Sequence, residues 1–454
     1  MGVVFFYCLS NVAWAEPAKE ITNHRTLIRN ASMVLTMDPS LGEGILGIVR
    51  DADVLFDGKI ISIGKNLSGD GAIIIDATGN IVMPGFVDVH NHLWQSLIRG
   101  CGADKELKGW LKECVRSVGK KVIDEPGAYA GVRLSTMDLI TTGVTTVVDV
   151  SHTFNPGFTR GNLRALKDSG LRFSFAYCFH DNLPVEEEVL RIKKEFIDPN
   201  PLASLQVCSH PAEKTFKGLK FMTRLSKKLK VPLNVHVLES RLQIKERPIK
   251  LLDEAGAFDT QILANHVIHV NRADIAQLRE SNVSVAHNPL SNMRLASGVM
   301  PISKLQKAGL KIGLGLDGGT NDTSDMFANM RAAVGLQRAV SLAPDAYPTI
   351  EDVLRIATLG GAEALHMEDT IGSITPGKRA DIIVLDLDRL NSAPQWNAVN
   401  QIVFNARPQN VKHVFVDGVH LKADWKLILK DTTPQKIIAQ AGQAVQRIKS
   451  RLRQ

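Results

Sequence analysis

The middle of the chain alternates between compact apolar runs and segments with helical spacing. Eight runs, rich in β-branched residues, follow one another: IVMPGFVDVH, GVTTVVDVSH, RFSFAYCFH, LASLQVCSH, VPLNVHV, ILANHVIHV, NVSVAHNP and KIGLGLD. Continuous apolar runs of this kind are typical of parallel strands that are buried on both faces. Segments between them, such as EPGAYAGVRLSTMDLITT, place apolar residues at helical spacing. The alternation predicts an α/β fold, with a closed (β/α)8 (TIM) barrel over residues 84–366.

Both ends of the chain instead alternate apolar and polar residues, as half-buried strands do. Near the N-terminus, VLFDGKIISIG predicts a hairpin with Asp57-Gly58 at its turn, and near the C-terminus HVFVDGVHLK repeats the pattern with Asp417-Gly418. We therefore expect a small β-sandwich domain formed from both chain ends, with residues 16–83 as its N-terminal part and residues 367–430 as its C-terminal part.

The last segment, residues 431–454, has the periodicity of an amphipathic helix. Its apolar side chains fall on one helical face: Ile437, Ala441, Val445, Ile448 and Leu452. We predict a helix that docks on the body of the protein. A helix that lies on a membrane surface is the alternative.

Residues 1–15 have features of a signal peptide. A short apolar run precedes Ala13-Trp14-Ala15, an A-x-A cleavage pattern, although the usual basic segment at the start is missing. The run is too short to span a bilayer, so no stable membrane insertion is expected. We predict cleavage of a signal peptide and a periplasmic or secreted protein. The alternative is a packed or disordered N-terminus on a cytoplasmic protein.

Composition narrows the function only slightly. The chain is 44% hydrophobic and 22% charged, which is ordinary for a globular protein. Its net charge of +7 is spread along the sequence, and the densest internal run, residues 224–230, has the spacing of a solvated helix face. A nucleic-acid partner is therefore not expected. The five cysteines lack C-x-x-C spacing, and we expect free, buried thiols, with Cys178 and Cys208 as neighbours on adjacent strands.

The predicted barrel strands nearly all end in a side chain that can bind a metal ion. The residues at these ends are His90 with His92, His152, His180, His210, His236, His266, His287 and Asp317. Barrels of this type carry their chemistry at the carboxyl ends of the strands, and histidine is the commonest protein metal ligand. His90 and His92, two residues apart on a strand, share a face and can point at one ion. The pattern predicts a metal-dependent enzyme.

Five motifs together resemble the amidohydrolase superfamily, most of all its mononuclear branch of nucleobase deaminases and triazine hydrolases. They are PGFVDVHNH (84–92), HVLE (236–239), NHVIH (265–269), HNPLSN (287–292) and GLGLDGG (313–319). The resemblance covers almost the whole chain, including the two-part β domain. It implies one divalent metal ion held by three imidazoles and one carboxylate: His90, His92, His236 and Asp317. Such ligands suit Zn²⁺ first and Fe²⁺ as an alternative. The fourth strand, LQVCSHP, lacks the lysine that bridges two metals in binuclear relatives, so a single ion is expected.

The resemblance also implies catalytic roles. The ion would lower the pKa of a water molecule from about 15.7 toward 7, which supplies hydroxide near neutral pH. Asp317 would accept the proton of that water, and Glu239 would carry it to a ring nitrogen and then to the leaving group. His266 would hydrogen-bond the attacking hydroxide or the developing oxyanion. His269, in the same NHVIH motif, is the competing candidate.

The expected function is hydrolytic deamination of an N-heterocycle: a purine, pterin, pyrimidine or aminotriazine. One alternative is hydrolysis of a carbon–chlorine or cyclic amide bond at the same site. Another is a non-catalytic binding scaffold, which the complete set of metal-binding residues argues against. A homodimer is a family-level expectation. Candidate substrate contacts are Gln95, His152, His180, His210 and His287, and for the histidines a purely structural role stays open.

Overall fold

The computed structural model describes residues 25–119, 122–179, 184–319 and 323–453. The expected signal peptide and His180 therefore lie outside the described residues. The strands are, in chain order, β1 (Thr26–Leu35), β2 (Ile48–Phe56), β3 (Ile60–Gly64), β4 (Ile73–Asp76), β5 (Ile81–Pro84), β6 (Phe86–His92), β7 (Val144–Ser151), β8 (Arg172–Cys178), β9 (Ala203–Ser209), β10 (Leu233–Val237), β11 (Ile262–His266), β12 (Ser284–His287), β13 (Ile312–Leu314), β14 (Asp317–Gly318), β15 (Ile382–Leu385), β16 (Val411–Val416), β17 (Val419–Ala423) and β18 (Lys426–Leu427).

The α-helices are α1 (Leu107–Trp110), α2 (Glu125–Thr141), α3 (Pro156–Ser169), α4 (Val185–Ile192), α5 (Phe216–Leu229), α6 (Pro248–Glu254), α7 (Arg272–Glu280), α8 (Pro289–Arg294), α9 (Ile302–Lys307), α10 (Met326–Ser341), α11 (Ile350–Arg355), α12 (Gly361–Ala364), α13 (Ala398–Phe404) and α14 (Pro434–Leu452). Short 3-10 helices include Leu93–Ile98 after β6 and Arg241–Glu246 after β10, and a π-helix spans Leu111–Gly119. Most of the α-helices lie between consecutive strands of the middle region, as the sequence pattern predicts.

The strands β6 to β14 form a parallel sheet that closes into a barrel. From β6 to β12, each strand pairs in parallel with the next. The strand β13 pairs with β12. The strand β14, which only two residues separate from β13, pairs with β6. Residues 312–318 thus act as one split eighth strand that joins the two ends of the sheet. The predicted TIM barrel is confirmed.

The first predicted strand, IVMPGFVDVH, is in fact two strands that belong to different sheets. The strand β5 pairs with β1 and β15 in the second sheet, whereas β6 opens the barrel. Gly85 lies between them, and a Cβ atom there would lie only 2.1 Å from Cγ2 of Thr145. The chain can pass from one sheet to the other at this point because glycine has no side chain.

The two chain ends form a nine-stranded mixed sheet in the order β18-β17-β16-β15-β5-β1-β2-β3, with β4 paired to β1. The hairpins predicted at Asp57-Gly58 and Asp417-Gly418 are present. The rings of Phe56 on β2 and Phe415 on β16 are 5.2 Å apart, although four strand-to-strand steps separate them in the sheet. In a flat sheet with a spacing of about 4.8 Å they would be roughly 19 Å apart. The sheet therefore folds over its own apolar core, as in the predicted β-sandwich.

A buried ion pair joins the barrel to this second sheet. Arg172, at the start of β8, donates from Nε and Nη2 to the two carboxylate oxygens of Asp381 at 2.9 and 3.0 Å. The Arg172 Nη2 atom also lies 3.4 Å from Oδ1 of Asp417. Two parallel hydrogen bonds give this contact a fixed geometry. The barrel and the second sheet are thus joined by side chains that are far apart in the sequence.

The C-terminal helix α14 packs against α2 of the barrel. Its buried side chains are Ile437, Ala441, Ala444 and Ile448, whereas Leu452, predicted on the same face, is exposed. Arg451 donates to the carbonyl oxygen of Val122 and to the carboxylate of Asp124. Among the described residues, no helix is both long and apolar enough to pass through a membrane.

The expectation of free thiols is wrong. The structure pairs Cys101 with Cys114 and Cys178 with Cys208 in disulfides. The second pair joins directly opposed residues of β8 and β9, which confirms that these two cysteines are neighbours. The first pair closes the segment after β6, where the fold of the loop, rather than any sequence spacing, brings the sulfur atoms together.

Candidate active site

Four of the predicted metal-binding residues meet at the carboxyl ends of the barrel strands. The Oδ1 atom of Asp317 lies 3.5 Å from Nε2 of both His90 and His92. The ring of His236 lies 4.9 Å from the ring of His90 and 5.5 Å from that of His92. These residues come from β6, β10 and β14, so the barrel itself brings them together. We call His90, His92, His236 and Asp317 the donor set.

The donor set fits a divalent ion. Donor atoms about 2.0–2.2 Å from a tetrahedral ion are roughly 3.4 Å from one another, which is close to the spacing around Asp317. The Nδ1 atom of His92 lies 2.6 Å from the carbonyl oxygen of Val150, which can only accept, so Nδ1 carries the hydrogen and Nε2 is left with its lone pair. Burial lowers the pKa of His90 to about 4 and that of His236 well below its usual value. Both rings are therefore neutral, as metal binding requires.

Glu239, His266 and Asp317 form a second group, which shares Asp317 with the donor set. The donor atoms of the three side chains lie within 4.8 Å of one another, and Oε2 of Glu239 is 3.6 Å from Nε2 of His266. Burial raises the pKa of Glu239 to about 7. Burial also acts to raise the pKa of Asp317, but the imidazoles of His90 and its neighbours outweigh it and hold that pKa well below its usual range. The site therefore contains one carboxyl that can hold a proton near neutral pH and one that stays ionised.

The backbone turns sharply at the strand ends that carry these groups. Leu238, His266 and Asp317 have φ angles of 51°, 74° and 60°, in the left-handed region that non-glycine residues rarely adopt. Such conformations are unfavourable by about 1–3 kcal/mol each and cluster at functional sites. At Gly315, a Cβ atom would lie 2.8 Å from Cβ of His90, so a glycine is needed where the eighth strand approaches the first. The local backbone is thus shaped to bring the side chains together.

The structure separates the two candidates in the NHVIH motif. His266 belongs to two groups whose donor atoms lie within 4.8 Å of one another, one with His90 and His236 and one with Glu239 and Asp317. His269 is half-buried, and its Nε2 atom lies 2.8 Å from the carbonyl oxygen of Ser297. Only His266, of these two histidines, is placed in the cluster.

Two of the histidines predicted to contact substrate lie next to the donor set. The ring of His152 is 4.7 Å from that of His92, and its Nδ1 atom accepts a hydrogen bond from Nε1 of Trp94 at 3.0 Å. The exposed His210 has its ring 5.0 Å from that of His236. Their contact with a substrate stays a prediction.

Two further candidates are buried beyond the barrel strands or at their ends: Gln95 on the 3-10 helix after β6, and His287 at the end of β12. Gln95 is fully buried, with its side-chain amide against Gly318. His287 is 1% exposed, and neither of its ring nitrogens makes a hydrogen bond within the described part of the chain. Burial lowers the pKa of His287 to about 3, so its ring is neutral. Contact of Gln95 and His287 with a substrate stays a prediction.

Sequence reasoning missed a buried carboxyl below the donor set. Asp88 accepts hydrogen bonds from the backbone N–H of His90 at 3.3 Å, from Nδ2 of Asn91 at 2.7 Å and from the backbone N–H of Leu316 at 2.9 Å. Burial raises its pKa to about 7. Asp88 thus ties the first barrel strand to the turn before Asp317. An acidic residue inside the apolar run PGFVDVH was the signal that could have revealed it.

Three polar residues outside the predicted set support the group around Glu239. The Gln243 side chain accepts the backbone N–H of Glu239 at 2.6 Å. Two further ones lie on α8: the Ser291 hydroxyl donates to Oδ2 of Asp317 at 2.5 Å, and Oδ1 of Asn292 lies 2.8 Å from Nδ1 of His266. In the HNPLSN motif, the last two residues make these contacts, whereas the sequence points to His287 as the functional residue.

Comparison with known proteins agrees with this arrangement. The model of the amidohydrolase family matches residues 81–421, more than half of the chain. The 5'-deoxyadenosine deaminase of Methanosarcina mazei is 32% identical over 442 residues, which cover 94% of this chain and 99% of that protein. The 5-methylthioadenosine/S-adenosylhomocysteine deaminase of Thermococcus onnurineus is 34% identical over 399 residues, covering 84% and 91%. The crystal structure of an adenosine deaminase from Xanthomonas campestris with bound zinc matches with a TM-score of 0.83 and 28% identity, covering 94% and 99%. The chain therefore belongs to the amidohydrolase family and is a hydrolase that acts on carbon–nitrogen bonds.

Proposed function

We propose that this protein hydrolytically deaminates an adenine-type heterocycle. The observation that carries the proposal is the placement of Glu239 beside His266 and Asp317, next to the donor set. Deamination of a ring amidine needs a group that protonates a ring nitrogen and another that takes up a proton from water. The relatives that are more than 30% identical over most of their length are named as deaminases of adenosine derivatives, which supports an adenine-type substrate.

The donor set would hold one divalent ion, and Zn²⁺ suits its three imidazoles and one carboxylate best. The zinc bound in the Xanthomonas campestris adenosine deaminase supports this choice. When bound, the ion supplies Lewis acidity that lowers the pKa of a water molecule at the site. The four side chains provide the negative and neutral donors that this ion requires.

The protein's own residues would manage the protons. Asp317, which is ionised before the reaction, accepts a proton as the water oxygen bonds to the ring carbon. Glu239 carries a proton to the adjacent ring nitrogen and later to the exocyclic amino group, since its pKa of about 7 allows it to gain and lose a proton near neutral pH. His266 holds the water oxygen by a hydrogen bond. The carbon–nitrogen bond then breaks, ammonia leaves and an oxo group remains on the ring.

The full-length, zinc-loaded protein tests the proposal directly. It would be offered 5'-deoxyadenosine, 5'-methylthioadenosine, adenosine, adenine, guanine, a pterin and an aminotriazine, with ammonia as the readout, and a chlorotriazine with chloride as the readout. We expect ammonia from the adenine-type compounds. Release of chloride without ammonia would indicate the alternative reaction. If neither ammonia nor chloride is released, the proposal is contradicted.

We also propose that the protein is exported by cleavage after Ala15. The A-x-A pattern at residues 13–15 supports cleavage, and the two disulfides among the described residues are typical of an oxidising compartment. The test is fractionation of cells that express the whole gene, with N-terminal sequencing and thiol alkylation of the product. A periplasmic protein that begins at Glu16 and resists alkylation is expected. A cytoplasmic protein that keeps Met1 and has free thiols would contradict export.

A further inference from the structure

We infer that the helix α8 orients two of the proposed catalytic groups, with Ser291 fixing the carboxylate of Asp317 and Asn292 fixing the ring of His266. Neither residue is placed in contact with the substrate, so both are positioning residues. The inference rests on the proposed function for its kinetic consequence, but its structural content can be measured without turnover.

Ser291 fixes the plane of the Asp317 carboxylate. The serine is fully buried, and its hydroxyl donates to Oδ2 of Asp317 at 2.5 Å. The backbone N–H of Gly318 donates to Oδ1 at 2.8 Å. With a donor on each oxygen, the carboxylate cannot rotate freely, and Oδ1 stays 3.5 Å from Nε2 of both His90 and His92. Ser291 therefore selects the oxygen that faces the two imidazoles.

Asn292 sets the position of the hydrogen on the His266 ring. The Nδ1 atom of His266 lies 2.8 Å from Oδ1 of Asn292 and 3.3 Å from Nδ2 of Asn288. An imidazole tautomer has one N–H. Nδ2 of Asn288 can only donate and would favour the hydrogen on Nε2, but the shorter contact is to Oδ1 of Asn292, which can only accept. The hydrogen therefore lies on Nδ1, and Nε2 presents its lone pair toward Glu239, 3.6 Å away.

This tautomer narrows the role of His266. With its lone pair on Nε2, this tautomer accepts a hydrogen bond from the attacking water or from the protonated carboxyl of Glu239. It cannot donate to a developing oxyanion without first gaining a proton. Of the two roles that the sequence left open for His266, the geometry favours contact with the attacking oxygen while it still carries a hydrogen.

One short helix can serve both groups because consecutive helical residues point about 100° apart. Ser291 faces β14 and Asn292 faces β11 from the same turn. The helix is held at its end by Arg294, which donates from Nη2 to the carbonyl oxygens of Cys101 and Gly102 at 3.3 and 2.9 Å. Met293, on the same turn, is 49% exposed and offers a matched control.

The experiment compares Ser291→Ala, Asn292→Leu and the control Met293→Ala in the full chain. Zinc affinity is measured by competition with a chelator. The kinetic constants kcat and KM are measured on the compound that the wild type deaminates best. The ring tautomers are read from ¹H–¹⁵N spectra of protein labelled with ¹⁵N-histidine. We expect Ser291→Ala to weaken zinc binding by about 10–100-fold, as loss of a partner behind a ligand typically does. Asn292→Leu should keep zinc but lower kcat at least about tenfold with little change in KM. Met293→Ala should match the wild type.

Conservative variants guard against simple misfolding. Ser291→Thr keeps a hydroxyl and should restore zinc affinity, and Asn292→Asp keeps an oxygen acceptor and should recover turnover relative to Asn292→Leu. Wild-type zinc affinity in Ser291→Ala, or a wild-type spectrum with the His266 hydrogen on Nε2, would overturn the inference. If the wild type releases no ammonia from any compound, the proposed function fails, while the zinc and tautomer measurements still decide the roles of Ser291 and Asn292.

Discussion

Glu239 and His266 face each other inside the barrel, with 3.6 Å between Oε2 and Nε2 and almost no exposure of either side chain to solvent. Glu239 follows β10 and His266 ends β11, and these two strands pair in parallel. Burial raises the pKa of Glu239 to about 7, so this carboxyl keeps its proton up to a higher pH than one in water. The barrel thus places a carboxyl that can hold a proton near neutral pH beside His266, as the proposed role of Glu239 in proton transfer requires.

Replacing Glu239 with Gln should remove this proton carrier and leave the donor set intact. We expect kcat to fall by about 10²–10⁴-fold, the usual contribution of general acid–base catalysis. The bound zinc should stay at the wild-type level, since Glu239 is not in the donor set. Steady-state kinetics with metal analysis would check both. Glu246→Gln, on the 3-10 helix of the same loop, is the matched control and should behave as the wild type. A Glu239→Gln enzyme with near-normal kcat would rule out the shuttle role.

Replacing His90 with Ala should abolish metal binding. His90 is the one histidine that belongs both to the group with His92 and Asp317 and to the group with His236 and His266. Its loss removes a donor from the middle of the site. Elemental analysis of the purified variant should find little zinc, whereas His269→Ala, the control, should keep a full complement. Chelation of the wild type should remove activity, and added Zn²⁺ should restore it. Wild-type zinc in His90→Ala would refute its place in the donor set.

The barrel was predictable because its strands are buried on both faces and therefore appear as separate apolar runs. The sequence did not, however, predict that the chain passes from one sheet to the other at Gly85. Both β5 and β6 are fully buried, so no polar residue interrupts IVMPGFVDVH where one sheet ends and the other begins. Hydropathy reports burial but not which sheet a strand joins.

Convergence of the donor set was predictable because the carboxyl ends of parallel strands meet at one end of a barrel. The supporting hydrogen bonds were not. Asp88 accepts from the backbone of Leu316, 228 residues away, and Asn292 contacts His266 through a helix whose direction the sequence does not give. The pairing of Cys101 with Cys114 likewise depends on the fold of a loop. Such contacts can be predicted only when the three-dimensional path of the chain is known.

Breaking the ion pair between the barrel and the second sheet should destabilise the whole protein. The Arg172 and Asp381 side chains are 5% and 3% exposed, so Arg172→Met leaves a buried carboxylate without its partner. We expect a loss of about 3–5 kcal/mol in the free energy of unfolding, measured by urea denaturation. Arg164→Met, which breaks an exposed pair with Glu125, should change it by less than about 1 kcal/mol. Equal effects of the two substitutions would contradict a structural role for the buried pair.

A buried lysine should make stability rise with pH above neutrality. Lys422 on β17 is 3% exposed and donates to the carbonyl oxygen of Thr141 at 2.8 Å, and burial lowers its pKa from 10.5 to about 8. Below pH 8 the lysine is charged in both the folded and the unfolded protein, and the folded state bears the cost of burying that charge. Between pH 8 and 10.5 the unfolded chain binds more protons than the folded one, so the free energy of unfolding increases with pH.

The increase attributable to Lys422 should be roughly 3 kcal/mol across that window, since each unit of pKa corresponds to about 1.4 kcal/mol. Urea denaturation from pH 7 to 10.5 would compare the wild type with Lys422→Met, which cannot gain or lose the proton. The wild type should become more stable relative to Lys422→Met as the pH rises. Lys426→Met, at an exposed position on β18, should give a curve parallel to that of the wild type. If the Lys422→Met curve is also parallel, the lysine keeps its charge in the folded protein, and the hydrogen bond to Thr141 at the end of α2 compensates for its burial.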